Sequence, residues 1–144
     1  MGVGAKIAVP TLLYAAVAGL VSRRFRPSFR ITGNSRSLLA PGIALAATGF
    51  SLNLIAAVSM LKADREQRLA TGGLYHLFRD PMYALQIFIT LPGLFLLSNS
   101  WLVLAGVTPA YIAYRVFVKE EHRYLEDRFG KEYTEYLTKV LLKI

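Results

Sequence analysis

Four stretches of this chain are apolar, three of them without a charge, and charge-rich segments separate most of them. The clearest is 38–61, which has 24 residues without a single charge. About 20 mostly apolar residues suffice to cross a hydrocarbon core about 30 Å thick. Residues 7–21 form a shorter uncharged run, with Lys6 placed to snorkel at its start and Arg23 and Arg24 closing it. In this run the charges follow rather than precede the apolar residues and no A-x-A-like site closes it, so it reads as a helix rather than a cleaved leader. Residues 83–98 and 101–118 are separated only by Asn99 and Ser100, so the two arms turn straight back on each other. They either cross fully or form a re-entrant hairpin. Pro92 and Pro109, one per arm, predict kinks. The pattern predicts an all-α polytopic membrane bundle of about four transmembrane helices, the last two forming a tight C-terminal hairpin.

The substantial polar connection is 62–82, where Gly72-Gly73 and Asp80-Pro81 mark a structured loop. Beyond the last apolar run, Leu125 and Phe129 stand four apart. After Gly130, the positions Tyr133, Tyr136, Leu137, Val140, Leu141 and Ile144 continue at helical spacing. This amphipathic tail is too short and too charged to span, and is expected to lie along the membrane face or over the polar loop. The length, 144 residues, fits one membrane domain. Residues 1–61 supply its two N-terminal helices and 62–144 its chemistry.

Composition agrees with the pattern. Apolar types make up 54% and charged types 18%, below the roughly 25% charged residues of soluble domains, and mean hydropathy is +0.41. The absence of cysteine excludes disulfide frameworks, thiolate zinc sites and a catalytic thiol. The net charge of +8 follows from where the bases fall. Arg23, Arg24, Arg26, Arg30 and Arg36 occupy the first connection with no acid among them. Lys62, Arg65, Arg68 and Arg79 lie in the second, and the tail carries the rest of the flanking bases among glutamates. With four spans, the N-terminus, the second connection and the tail share the more basic side, which is therefore expected to be cytoplasmic. The arginine-rich first connection runs against that assignment. Lipid headgroups account for the basic pI, and no nucleic-acid partner is expected.

Few residue patterns carry chemistry. His76 and His122 have no metal-ligand spacing, so no metal is expected, and no GxGxxG or GxSxG is present. Arg115 is the intramembrane charge, and such a group is a functional candidate, although snorkelling explains it as well. Two polar segments remain on one side of the membrane. One runs from Thr71 to Tyr83; the other is Glu120 to Leu125 followed by Phe129 to Tyr136. The hairpin brings their ends together.

These segments read Gly73-Leu-Tyr75-His-Leu-Phe-Arg79-Asp80-Pro81-Met82-Tyr83, then Glu121-His122-Arg123-Tyr124-Leu125, then Phe129-Gly130-Lys-Glu-Tyr133-Thr-Glu-Tyr136. They resemble the G-x-Y-x-x-x-R-H-P-x-Y, E-E-x-x-L and F-G-x-x-Y-x-x-Y motifs of the isoprenylcysteine carboxyl methyltransferase family, much of which the related phospholipid N-methyltransferases share. The resemblance covers Gln67 to about Val140. It implies a membrane-embedded methyltransferase that uses S-adenosylmethionine without metal and releases S-adenosylhomocysteine. By position, the implied cofactor contacts are Gln67, Arg68, Leu69, Ala70, Tyr75, Asp80, Pro81, Met82, Tyr83 and Glu121. Glu121 suits the cofactor's ammonium group, and Tyr75 and Tyr83 offer ring faces and hydroxyls. A lipid-like acceptor would enter laterally from the bilayer, with cofactor arriving from the cytoplasm of a prokaryotic cell. Asp80 or Glu120 would deprotonate an amine acceptor, whereas Arg115 would attend a carboxylate. Oligomeric state is not legible.

The chain departs from the motif at several points. Asp80 replaces the motif histidine, His122 replaces the second glutamate, Phe117 stands where carboxyl methyltransferases carry a substrate arginine, and no proline follows Val140. Two other classes stay open: a small four-helix transporter, which would need a buried acid that none of the spans carries, and a non-catalytic relative.

Overall fold

The computed structural model describes residues 3–25 and 28–143, so Arg26 and Ile144 lie outside the described residues. Helix α1 (Val3–Arg24) and helix α2 (Leu39–Arg65) follow the first two apolar runs. A 3-10 turn, Ser35–Leu38, leads into α2, and the Asn34 side chain accepts from Arg36 N to start it. The buried residues of α2 are Gly42, Gly49, Ala56 and Ala63. Their spacing of seven puts four small residues on one stripe, a surface that lets another backbone approach closely in lipid.

The third arm lies along that stripe. After the short helix α3 (Leu74–Leu77), it comprises α4 (Pro81–Leu85), a π-helical segment Gln86–Thr90, and α5 (Leu91–Leu96). A Cβ on Gly49 would stand 2.8 Å from Thr90 N, and one on Gly93 would stand 2.9 Å from Gly42 O. Glycine is required at both for the two backbones to touch. Asn53, on the same side of α2, donates to Met82 O at 2.9 Å and fixes the start of the arm.

The prolines act differently from the simple kinks expected. Pro92 cannot donate to the carbonyl of Phe88, and the turn before it widens into the π segment. Pro109 sits in the first turn of α7 (Val107–Phe129), where its missing N–H has no helical partner to lose. The break falls just ahead of it, at Ala105-Gly106, separating α7 from α6 (Trp101–Leu104). The hairpin turn spans 97–100 rather than two residues. Asn99 takes φ 48° there, and Ser100 caps α6 by accepting from Val103 N.

Helix α7 also runs well past Val118. Nothing between Lys119 and Phe129 breaks a helix, and the chain turns only at Gly130, φ 49°. The Glu121 motif therefore belongs to the extension of the fourth membrane helix, and the amphipathic tail proper is α8 (Lys131–Lys139). The spans Lys6–Arg24, Ser35–Arg65 and Trp101–Phe129 are long and apolar enough to cross a membrane. The arm Pro81–Leu96 is shorter, about 24 Å at 1.5 Å per residue.

Helix α1 packs on α7, and α2 packs on the third arm. Ile7, Ile87, Ala110, Ala113, Tyr114 and Val118 form the core between them. Leu12, Leu20, Phe50, Leu54 and Ile112 are exposed on the outer surface, as a lipid-facing belt requires.

Candidate active site

The polar loop is tied down at both ends. At the end of α2, Gln67 adopts φ 52°, and Arg128 of α7 donates to Asp64 Oδ1 and Gln67 Oε1, each at 3.0 Å. Leu69 then enters a small core with Tyr133, Tyr136 and Val140. Tyr136 Oη donates to Tyr75 O at 2.7 Å and lies 3.3 Å from the carbonyls of Phe78 and Arg79. The extended segment after α8 pairs with the loop, Leu142 N donating to Leu77 O at 2.8 Å and Arg79 N to Leu142 O at 2.9 Å. The tail thus packs over the loop, one of the two placements its pattern allowed.

Beneath this clamp lies a cavity of about 520 Å³, bounded by the end of α2, the loop, α4, α7 and α8. Arg68, Leu69, Ala70, Tyr75, Asp80, Pro81, Met82, Tyr83 and Glu121 all line it. Tyr83 Oη donates to Glu121 Oε2 at 2.8 Å, joining the start of the third arm to α7. Asp80 is buried, and its Oδ2 receives Arg79 Nε at 3.0 Å, Tyr114 Oη at 2.9 Å and a His122 Nε2 contact at 2.9 Å. Burial works against the Arg79 charge, but the bond to Asp80 and its negative charge prevail, so the guanidinium is held above its ordinary pKa. Burial pushes the Tyr75 hydroxyl up to about 12, with the charges of Glu121 and Asp80 adding to it. Tyr133 is raised to about 12, again chiefly by burial.

Three expected residues are not brought to the cavity. Gln67 bonds Arg128 at the rim. Glu120 is exposed and pairs with Lys6 of α1, because it stands about 100° round the helix from Glu121. Arg115 is exposed as well, about 240° from Glu121 by the same count. Neither lines this cavity, and of the three candidates Asp80 alone does.

Other contributors were not anticipated. Tyr114 and His122 hold Asp80, and Tyr133 and Arg128 line the wall. The signal available was the stripe Tyr114, Glu121, Leu125 and Arg128, which shares one face of a helix once α7 is drawn through to Phe129.

The charges of the cavity are mostly balanced internally. Asp64 pairs with Arg128, Asp80 with Arg79, and Arg68 with Glu66. Among the described residues, Glu121 has no basic partner within ion-pair distance, its recorded bond being to the neutral Tyr83 hydroxyl. Tyr133 Oη is buried with no partner among the described residues. A ligand carrying both a positive group and an acceptor would satisfy both.

The family model for phospholipid methyltransferases matches residues 37–132, two-thirds of the chain. The chain belongs to the phospholipid methyltransferase family. The match to this methyltransferase family takes in α2, which by sequence contributed hydrophobicity alone, and ends just before Tyr133. No curated protein and no solved structure matches significantly. Among the described residues no cluster of metal-ligating side chains occurs.

Proposed function

We propose that this protein is an S-adenosylmethionine-dependent methyltransferase acting on a lipid-like acceptor at the cytoplasmic membrane face. The observation that carries the reading is the unpaired Glu121 carboxylate, held by Tyr83 in a cavity at the end of the bundle where the other acids are matched. S-adenosylmethionine supplies a methyl group on a sulfonium, together with an ammonium and a carboxylate. The donor set fits such a group: Glu121 receives the ammonium, and the unpartnered Tyr133 hydroxyl offers a hydrogen bond to an acceptor. Tyr75, neutral up to high pH, presents a ring and a donor. Asp80 orients Arg79, Tyr114 and His122, so its role is positioning rather than proton transfer. Holding the reactants in line and excluding water accounts for most of what this chemistry asks of a protein.

For the acceptor, the family match favours a phospholipid amine. Arg115, the residue expected to attend a carboxylate, faces away from the cavity. The test is equilibrium binding of S-adenosylmethionine to the detergent-purified chain, followed by transfer of labelled methyl to ethanolamine phospholipid or to a prenylcysteine analogue. Saturable binding with labelling of the ethanolamine lipid is expected. Labelling of prenylcysteine instead would reassign the acceptor, and absence of saturable binding at sub-millimolar cofactor would end the proposal.

A further inference from the structure

The bundle has a second cavity, of about 480 Å³, at the end remote from Tyr83 and Glu121. It lies where α1 ends, where the 3-10 turn begins and where the hairpin turns. Its polar wall includes Ser22, Arg23, Arg30, Ser35, Asn99 and Ser100. Ser22 and Ser100 are buried and share a hydrogen bond of 2.6 Å.

The connection carrying Arg30 is fixed onto the hairpin turn. Trp101 N donates to Phe29 O at 3.0 Å, and Arg30 pairs with Ser100 as an isolated antiparallel bridge. Asn99 treats Thr32 as a strand neighbour would: Thr32 N donates to Asn99 Oδ1 at 3.1 Å and Asn99 Nδ2 to Thr32 O at 2.9 Å. The Phe29 and Trp101 rings pack 5.4 Å apart. The two arginines are therefore presented by an ordered frame.

Among the described residues no acid neutralises them. The first acid in the sequence is Asp64, and none lies between Asp80 and Glu120, so the segments that build this end contain no carboxylate. Among the described residues neither Arg23 nor Arg30 enters an ion pair, whereas Lys6, Arg68, Arg79 and Arg128 at the other end do. Two guanidinium forks, hydroxyl and amide donors, and no acid form a receptor for a tetrahedral oxyanion. The ends of membrane helices lie at headgroup depth, where phosphates are abundant.

We propose that this second cavity binds a phosphate group, supplied by the headgroup of an anionic phospholipid in the leaflet opposite the methyl-transfer cavity. The assignment is independent of the methyltransferase reading, since it shares no residue with that site. It also accounts for the acid-free arginine connection that runs against the charge bias of the topology.

The experiment measures thermal unfolding of the full chain in neutral detergent, titrated separately with phosphatidylglycerol, phosphatidylcholine and inorganic phosphate. Phosphatidylglycerol is expected to protect most. The Arg23→Gln/Arg30→Gln variant should need roughly twentyfold more of it for the same shift, two interfacial arginine contacts being lost. Arg123→Gln/Lys143→Gln, which removes the same charge from exposed positions elsewhere, should respond as the parent does. The single variants Arg23→Gln and Arg30→Gln give intermediate shifts and cover a double variant that folds poorly. Protection by inorganic phosphate equal to that by lipid would keep the site and make its ligand a soluble phosphate. Protection by neither, or losses equal in both double variants, would overturn the site.

Discussion

Asp80 and His122 meet at 2.9 Å at the cavity wall that Asp80 lines, one at the start of the third arm and the other on α7. Both are positions where the chain departs from the motif it resembles, which carries histidine at the first and glutamate at the second. Relative to that motif the acid and the imidazole stand in exchanged positions, and in this chain they are in contact. Substituting either alone puts like beside like. Asp80→His faces His122 and Arg79, whereas His122→Glu adds a carboxylate beside Asp80 and Glu121. Each single variant should lower both Tm and cofactor affinity. The double variant Asp80→His/His122→Glu should recover a coupling of roughly 1–3 kcal/mol. Strictly additive losses would show that the two residues are not a unit.

The second prediction separates neighbours on one helix. Glu121→Gln removes the charge in the cavity, so affinity for S-adenosylmethionine should fall by about tenfold or more, the usual worth of a hydrogen bond to a charged group. Tyr83→Phe, losing a neutral hydroxyl, should cost about fivefold. Glu120→Gln and Arg115→Gln should leave affinity within about twofold, because both side chains face away from the cavity. Isothermal titration in detergent measures all four, and equal effects of Glu120→Gln and Glu121→Gln would remove the assigned site.

How far the sequence carried these conclusions depends on what each feature required. Long uncharged runs placed α1 and α2, since lipid leaves little else for such segments to do. The short motifs placed Tyr75, Asp80, Tyr83 and Glu121 together, because closely spaced residues flank a hairpin whose arms must begin and end at one face. The failures are matters of helical phase and of helix ends. Ending the fourth helix at Val118 hid the face that carries Tyr114, Glu121 and Arg128, and with it the reason Glu120 and Arg115 turn away. The π segment could not be read from Pro92 alone, since widening a turn and bending it are alternative answers to the same missing donor. The order of the first connection was not legible because it depends on Asn99 and Ser100, distant in sequence.

The clamp of α8 over the loop sets a pH limit. Tyr75 and Tyr133 are held neutral, their hydroxyls pushed from 10.0 to about 12 mainly by burial, and Tyr136 is raised as well. The unfolded chain loses these protons near pH 10, so above that it binds fewer than the native state, and stability falls as pH rises. These groups contribute no pH dependence below about 10, where both states are protonated. Tm is therefore expected to decline between about pH 10 and 12. Tyr136→Phe removes the donor shared by the Tyr75, Phe78 and Arg79 carbonyls and should cost about 1–3 kcal/mol even at neutral pH.

The last prediction concerns the small-residue stripe of α2, which determines where Met82 and Tyr83 stand. Gly49 faces the π segment so closely that an added Cβ would meet the backbone of Thr90, and backbone cannot swing aside as a side chain can. Gly49→Val must therefore push α2 away from the third arm, at a cost of about 1–3 kcal/mol for overpacking. Because Asn53 on the same helix holds Met82 O, the displacement reaches the start of α4 and the cavity wall. The variant should lose cofactor affinity as well as Tm, although Gly49 itself does not line the cavity. Gly33→Ala, where an added Cβ meets nothing within 4 Å, is the matched control and should change neither. A Gly49→Val protein with lowered Tm but unchanged affinity would show that the third arm keeps its place without α2, and that the stripe serves stability alone.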